Sequence, residues 1–130
     1  MPRIRVKKSG PLKGTLKIDG AKNAVLPIIA ATILARGKCT LKSVPSLRDV
    51  HVISDLLAHL GADVNYKDGC LEIDTSGINT YEAPYELVKK MRASFVVMGP
   101  LLAIFNRTKI SMPGGCAIGT STPNRSAHFV

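Results

Sequence analysis

"AATILARGKCTL" (Ala30–Leu41) returns about 70 residues later as "LLAIFNRTKISM" (Leu101–Met112). Each copy runs from an apolar helix end through a turn carrying arginine into an alternating strand. Recurrence of a helix-turn-strand unit at that distance predicts an internal α+β repeat. Upstream of the first copy, "TLKIDG" (15–20) alternates and ends on glycine, which reads as a strand and a turn. "AKNAVLPIIAATILARG" (21–37) reads as a helix stopped by Gly37, and Pro27 belongs in a first turn, so the start is expected between Asn23 and Leu26.

Downstream, "KCTLKSV" (38–44) alternates as a strand. "SLRDVHVISDLLAHLG" (46–61) then places Leu47, Val50, Ile53, Leu56, Leu57 and Leu60 at helical spacing. Ser46 is the expected N-cap, Asp49 follows three residues later and Gly61 is the stop. "ADVNYKDGCLEID" (62–74) is a hairpin turning on Asp68-Gly69. A second round begins with "YELVKKMRASFVVMGPLLAIF" (85–105), helical with a kink expected near Gly99-Pro100, and continues into the strand "TKISM" (108–112). The unit is strand-helix-strand-helix-hairpin, and the second copy is incomplete. An incomplete copy is expected to leave an apolar helix face and a strand edge without partners.

A chain of 130 residues with 45% hydrophobic content is a folded globular protein, not a disordered one. The apolar runs "AVLPIIAATILA" and "FVVMGPLLAIF" are too short to span a bilayer and each carries a proline, so no membrane association is expected. "MPRIRVKKSG" has basic residues but no apolar segment behind them and is not a secretory signal. Cys39, Cys70 and Cys116 form neither a disulfide framework nor a metal spacing, which fits a reducing, cytoplasmic setting. The net charge of +9 invites a nucleic-acid reading, yet the bases are scattered and aromatic residues are few, so no stacking platform accompanies them. A phosphorylated small substrate or a solvated basic surface accounts for the charge equally well.

Four residues carry candidate chemistry. Lys22 and Asn23 stand where a strand end turns into a helix, a place that favours anions; an ordinary helix start with a surface lysine gives the same letters. Arg92, in "KKMRAS", opens the corresponding helix of the second copy and is able to fork two oxygens of a phosphate or carboxylate, or simply to face solvent beside Lys89 and Lys90. Cys116 lies in "PGGCAIG" (113–119), where a proline and paired glycines build a tight loop around one thiol; it suits a nucleophile, a redox thiol or a proton donor. His51, Asp55 and His59 share a helix face but lack a third nitrogen or sulfur ligand, so they read as a solvated face and no metal is expected. Cys39 and Cys70 read as packing residues. Asp63, Asp68, Glu72 and Asp74 read as strand and turn residues.

Taken together, "GTLKIDGAKNAVLPIIAATILA", "APYELVKKMRASFVVMGPLLA" and "MPGGCAIG" resemble the amino-terminal part of the UDP-N-acetylglucosamine 1-carboxyvinyltransferases, from about Arg3 to Gly119. The resemblance implies an α+β fold: a partial enolpyruvyl-transferase lobe of the inside-out α/β barrel type, with about one and a half βαβαββ repeats. It implies transfer of enolpyruvyl from phosphoenolpyruvate to the 3′-hydroxyl of UDP-N-acetylglucosamine, the first committed step of peptidoglycan synthesis, with no metal or organic cofactor. Lys22 and Asn23 would contact substrate, Arg92 would belong to the site where the two substrates meet, and Cys116 would protonate the enol methylene and be the residue that fosfomycin alkylates. Residues 1–21 would be a strand segment joining a carboxyl-terminal lobe and residues 22–119 a partial substrate-binding lobe. The family's full chain is several times longer and closes two lobes over its substrates, so the 130 residues alone are expected not to turn over. A non-catalytic product, pairing with a full-length transferase through its unpaired repeat edge, is the alternative.

Residues 120–130, "TSTPNRSAHFV", depart from the family, which continues with a segment like Ala-Arg-Pro-Ile-Asp-Leu-His. One permitted coding of the run from Ser121, read one base later, gives Ala-Arg-Pro-Ile-Asp-Leu-His-Ile-Leu. The tail is therefore expected to be an out-of-frame translation.

Overall fold

The computed structural model describes residues 3–18, 20–89, 96–111 and 126–129. Four helices, α1 (Lys22–Ala35), α2 (Arg48–Leu60), α3 (Tyr85–Val88) and α4 (Met98–Phe105), pack against two three-stranded sheets. The first sheet contains β1 (Lys38–Leu41), β2 (Asp63–Lys67) and β3 (Cys70–Asp74) in the order β1-β3-β2, all antiparallel. The second contains β4 (Glu82–Ala83), β5 (Thr108–Ser111) and β6 (Ser126–Phe129) in that order, with β4 parallel and β6 antiparallel to β5.

The repeated stretch folds alike in both places. α1 ends on Arg36 (φ 48°) and α4 on Asn106 (φ 55°), both in the left-handed region, and each is followed two residues later by a strand. The hairpin forms on Asp68-Gly69, whose positive φ angles of 50° and 76° match the right-handed twist of β2 and β3. Cross-strand sets Cys39-Ile73-Val64 and Leu41-Leu71-Tyr66 face the helices, while Lys38, Thr40, Asp63, Asn65, Glu72 and Asp74 face outward. The core joins both rounds: Ile29 and Ile33 of α1, Ile53, Leu56, Leu57 and Leu60 of α2, Leu71 and Ile73 of β3, then Val88, Leu101 and Ile110. Burying each such side chain is worth about 1.5–3 kcal/mol.

Several sequence expectations need correction. α1 begins at Lys22, so Pro27 lies in its second turn. The helix tolerates this because the carbonyl deprived of its i+4 donor belongs to Asn23, which is exposed to water. α2 is capped by Leu47 in extended conformation without a side-chain hydrogen bond; the Ser46 hydroxyl lies 3.3 Å from His51 Nε2 instead. Gly99 and Pro100 fall in the first turn of α4, and residues 90–95 of the run read as one kinked helix lie outside the described residues. Thr15–Ile18 forms no strand: an alternating segment needs a ladder partner, and among the described residues none lies beside it. Leu16 and Ile18 are accordingly 86% exposed. Lastly, Ser126–Phe129 of the tail forms β6, so β5 is flanked on both sides, and among the described residues the sheet edges left open are those of β1, β2, β4 and β6. On α1 an apolar face does remain uncovered, with Ile28 and Leu34 about half exposed.

Candidate functional site

α1 enters through Gly20 and Ala21. A Cβ on Gly20 would overlap the Ser43 carbonyl oxygen and touch Pro45 Cδ at 3.4 Å. Only a residue without a side chain lets the entry to α1 lie this close to the β1–α2 loop. That contact brings the first turns of α1 and α2 together. Ala21 is the N-cap of α1 and supplies no side-chain cap, although its carbonyl accepts from the N–H groups of Ala24 and Val25. The N–H groups of Lys22 and Asn23 thus open the helix without a side-chain acceptor, next to an ammonium. This is an arrangement that attracts an anion.

The Lys22 ammonium forms an ion pair with Asp49, in the first turn of α2. Asp49 is the member sequence reading missed. Its position three residues after Ser46 suggested a capping box, and nothing in the linear order links it to Lys22. Close packing at Gly20 is the one local signal, and it becomes visible only in three dimensions. Behind the corner, α1 is held at its other end by Thr75. The Thr75 hydroxyl donates to the Thr32 carbonyl (2.9 Å) and accepts from the Gly37 N–H (3.2 Å), while the Thr75 N–H bonds the Gly37 carbonyl (3.1 Å).

Of the four candidate residues, Lys22 and Asn23 are brought together on the exposed first turn of α1. Arg92 and Cys116 lie outside the described residues. His51, Asp55 and His59 are exposed, and His51 stacks edge-on against Tyr66 at 5.4 Å between ring centres; no group of side chains among the described residues is arranged to hold a metal. Cys39 and Cys70 are free, half-buried thiols in strands, and Cys70, read as a packing residue, lies on the outward face of β3 with Glu72 and Asp74. The carboxylates read as strand and turn residues occupy those places, and Asp74 is held below its ordinary range by hydrogen bonds from the Ser76 hydroxyl (2.6 Å) and N–H (3.0 Å). A shallow concavity on the outer face of the first sheet, lined by Lys38, Thr40, Asp63, Asn65, Glu72 and Asp74, is of mixed charge and does not include Lys22. No helix among the described residues is long and apolar enough to cross a membrane.

Residues 6–121 match the family model of EPSP synthase (3-phosphoshikimate 1-carboxyvinyltransferase). The chain belongs to the EPSP synthase family. Within this family it is similar to the UDP-N-acetylglucosamine 1-carboxyvinyltransferase of Desulfosudis oleivorans, at 52% identity over 119 residues, 92% of this chain and 28% of the relative. The UDP-N-acetylglucosamine 1-carboxyvinyltransferase 1 of Caldanaerobacter subterraneus is 59% identical over 114 residues, 88% of this chain and 27% of the relative. The corresponding protein of Shewanella amazonensis is 49% identical over 128 residues, 98% of this chain and 31% of the relative. This EPSP synthase family chain thus spans somewhat under a third of the length of these relatives. Its fold matches the enolpyruvyl transferase NikO from Streptomyces tendae with a TM-score of 0.69, over 75% of this chain and 23% of that one, at 21% identity. The expectation of an α+β partial enolpyruvyl-transferase lobe is borne out.

Proposed function

We propose that this chain supplies the anion-holding part of an enolpyruvyl transferase that moves the enolpyruvyl group of phosphoenolpyruvate to the 3′-hydroxyl of UDP-N-acetylglucosamine in peptidoglycan synthesis. The observation that carries the reading is the placement of Lys22 and Asn23 on the uncapped first turn of α1, inside a segment about half identical to transferases of that name. Lys22 holds an oxygen of phosphoenolpyruvate, and Asn23 offers a donor and an acceptor to orient substrate. Arg92 forks a carboxylate or phosphate where the two substrates meet. Cys116, as a thiol, gives its proton to the enol methylene. The resulting oxocarbenium-like centre is attacked by the sugar hydroxyl. The hydroxyl gives up its proton as the C–O bond forms; phosphate then leaves and a proton is removed from the new methyl group, which forms the enol ether, with the cations offsetting the anionic charge throughout.

Under this reading residues 1–21 belong with a second lobe, 22–119 form part of the substrate lobe, and 120–130 are an out-of-frame tail. The reaction takes place in the cytoplasm, where both substrates are found, and involves no metal, cofactor, nucleic acid or membrane.

The test is a chimera in which residues 3–119 replace the matching segment of the Caldanaerobacter relative. The chimera is expected to release phosphate only when both substrates are present, and Lys22→Met is expected to abolish this. A folded chimera with no transfer would refute the reading. The 130-residue chain assayed by itself is expected to give no turnover.

A further inference from the structure

In the structure the ammonium read as the anion holder is already paired. Asp49 is the anchored member: it sits in the first turn of α2, where the helix dipole favours a carboxylate, and its side chain is 25% exposed against 51% for Lys22. Lys22 reaches across from the first turn of α1, and the Gly20 contact with Ser43 and Pro45 fixes the distance it must cover. An ammonium has three donors on a flexible stem, so it is able to exchange one anionic partner for another without moving the backbone. A pair this exposed is worth a factor of about two to five in an equilibrium constant. That is enough to fix the lysine's aim and too little to withhold it from a dianion.

We propose that Asp49 is the resident counter-anion of Lys22: a positioning residue that holds the ammonium at the start of α1 and is displaced from it when a phosphate or carboxylate oxygen binds there. The proposal rests on the reading of Lys22 as an anion holder. No bond is made or broken, and the carboxylate released from Lys22 turns to water and to the N–H groups that open α2.

The experiment titrates the isotope-labelled 130-residue chain with inorganic phosphate near neutral pH. NMR follows the Lys22 side-chain nitrogen, the Asn23 amide and the Asp49 carboxyl carbon. Phosphate is expected to move all three with one midpoint. Asp49→Asn, which keeps the shape and removes the charge, is expected to tighten phosphate binding about two- to fivefold. Asp49→Glu is expected to restore the original affinity, which loss of a merely structural contact would not do. Two results would overturn the proposal while leaving the anion-holder reading intact. One is a Lys22 signal that moves while Asp49 stays still; the other is an Asn variant that binds phosphate no more tightly than the original. If neither Lys22 nor Asn23 responds, both readings fall. The titration of the unaltered chain decides the matter even if the Asn variant does not fold.

Discussion

Replacing Gly20 by alanine tests whether the corner at Lys22 is built by close packing. The obstacle is space: the new Cβ would overlap the Ser43 carbonyl oxygen, and Pro45 Cδ at 3.4 Å closes the other side. Neither neighbour is the far end of a flexible side chain, so the backbones must part by roughly an ångström, a change that typically costs about 1–3 kcal/mol. At this chain length each kcal/mol lowers Tm by about 3–5 °C, which gives a fall of about 3–15 °C. The displacement also separates the first turns of α1 and α2, so the Lys22 side-chain NMR signal should shift toward that of an unpaired lysine.

Two further glycines separate sterics from backbone conformation. Gly69 has φ 76° and no contact closer than 3.7 Å, so Gly69→Ala should cost about 1 kcal/mol in backbone strain and leave Lys22 untouched. Gly10 has nothing within 4 Å and a negative or extended φ, so Gly10→Ala should change neither quantity. Thermal melts followed by circular dichroism, with the lysine spectrum recorded alongside, read both. If Gly20→Ala melts with the original chain, or destabilises it without moving Lys22, the packing account of the corner is wrong.

Thr75→Val keeps the buried shape but removes the hydroxyl that joins Thr32 and Gly37, and should lower the urea-unfolding free energy by about 1–3 kcal/mol, most of which Thr75→Ser should recover. Asp74 has a folded-state pKa below its unfolded value because Ser76 donates twice to its carboxylate. Its contribution to stability is therefore complete above the unfolded value and is lost as pH falls through the lower folded one. Asp74→Asn should flatten that acid limb of a Tm-against-pH curve and leave the neutral region parallel to the original.

The sequence conveys best what depends on neighbours along the chain. Asp68-Gly69 specifies the hairpin because a two-residue turn in that twist needs positive φ at both places. The apolar spacing from Val50 to Leu60 specifies α2, and the repeated helix-turn-strand unit specifies both rounds. What the sequence conceals depends on contacts at long range. Thr15–Ile18 has the alternation of a strand, but alternation describes one side of a ladder and says nothing of whether the other side is present. Ser46 has the composition of a cap, yet Leu47 fills the place because the chain is already extended there and the serine hydroxyl has His51 within reach. Pro27 argues for a late start to α1, which solvent at Asn23 makes unnecessary. The Lys22–Asp49 pair joins two helix starts that only the Gly20 contact brings together, so no spacing rule reaches it.

The proposed anion corner and the proposed proton source belong to different rounds of the repeat, and this has a mechanistic consequence. Gly20, Lys22, Asn23 and Asp49 are all set by the first round, through α1, the β1–α2 loop and the first turn of α2. Cys116 follows β5, in the second round. Binding the anion and protonating the enol should then be separable functions. Cys116→Ser keeps the size of the side chain but replaces a thiol by a hydroxyl, a far weaker acid that cannot protonate the enol at a useful rate. In the 130-residue chain this variant should leave the phosphate-induced shifts of Lys22 and Asn23 unchanged, with a dissociation constant within about twofold of the original. In the chimera the same change should reduce transfer by about a hundredfold or more, since general acid catalysis contributes roughly 10²–10⁴ in rate. Loss of phosphate binding in the serine variant would mean that the cysteine loop helps to build the corner. Undiminished transfer in the chimera would mean that the proton comes from elsewhere.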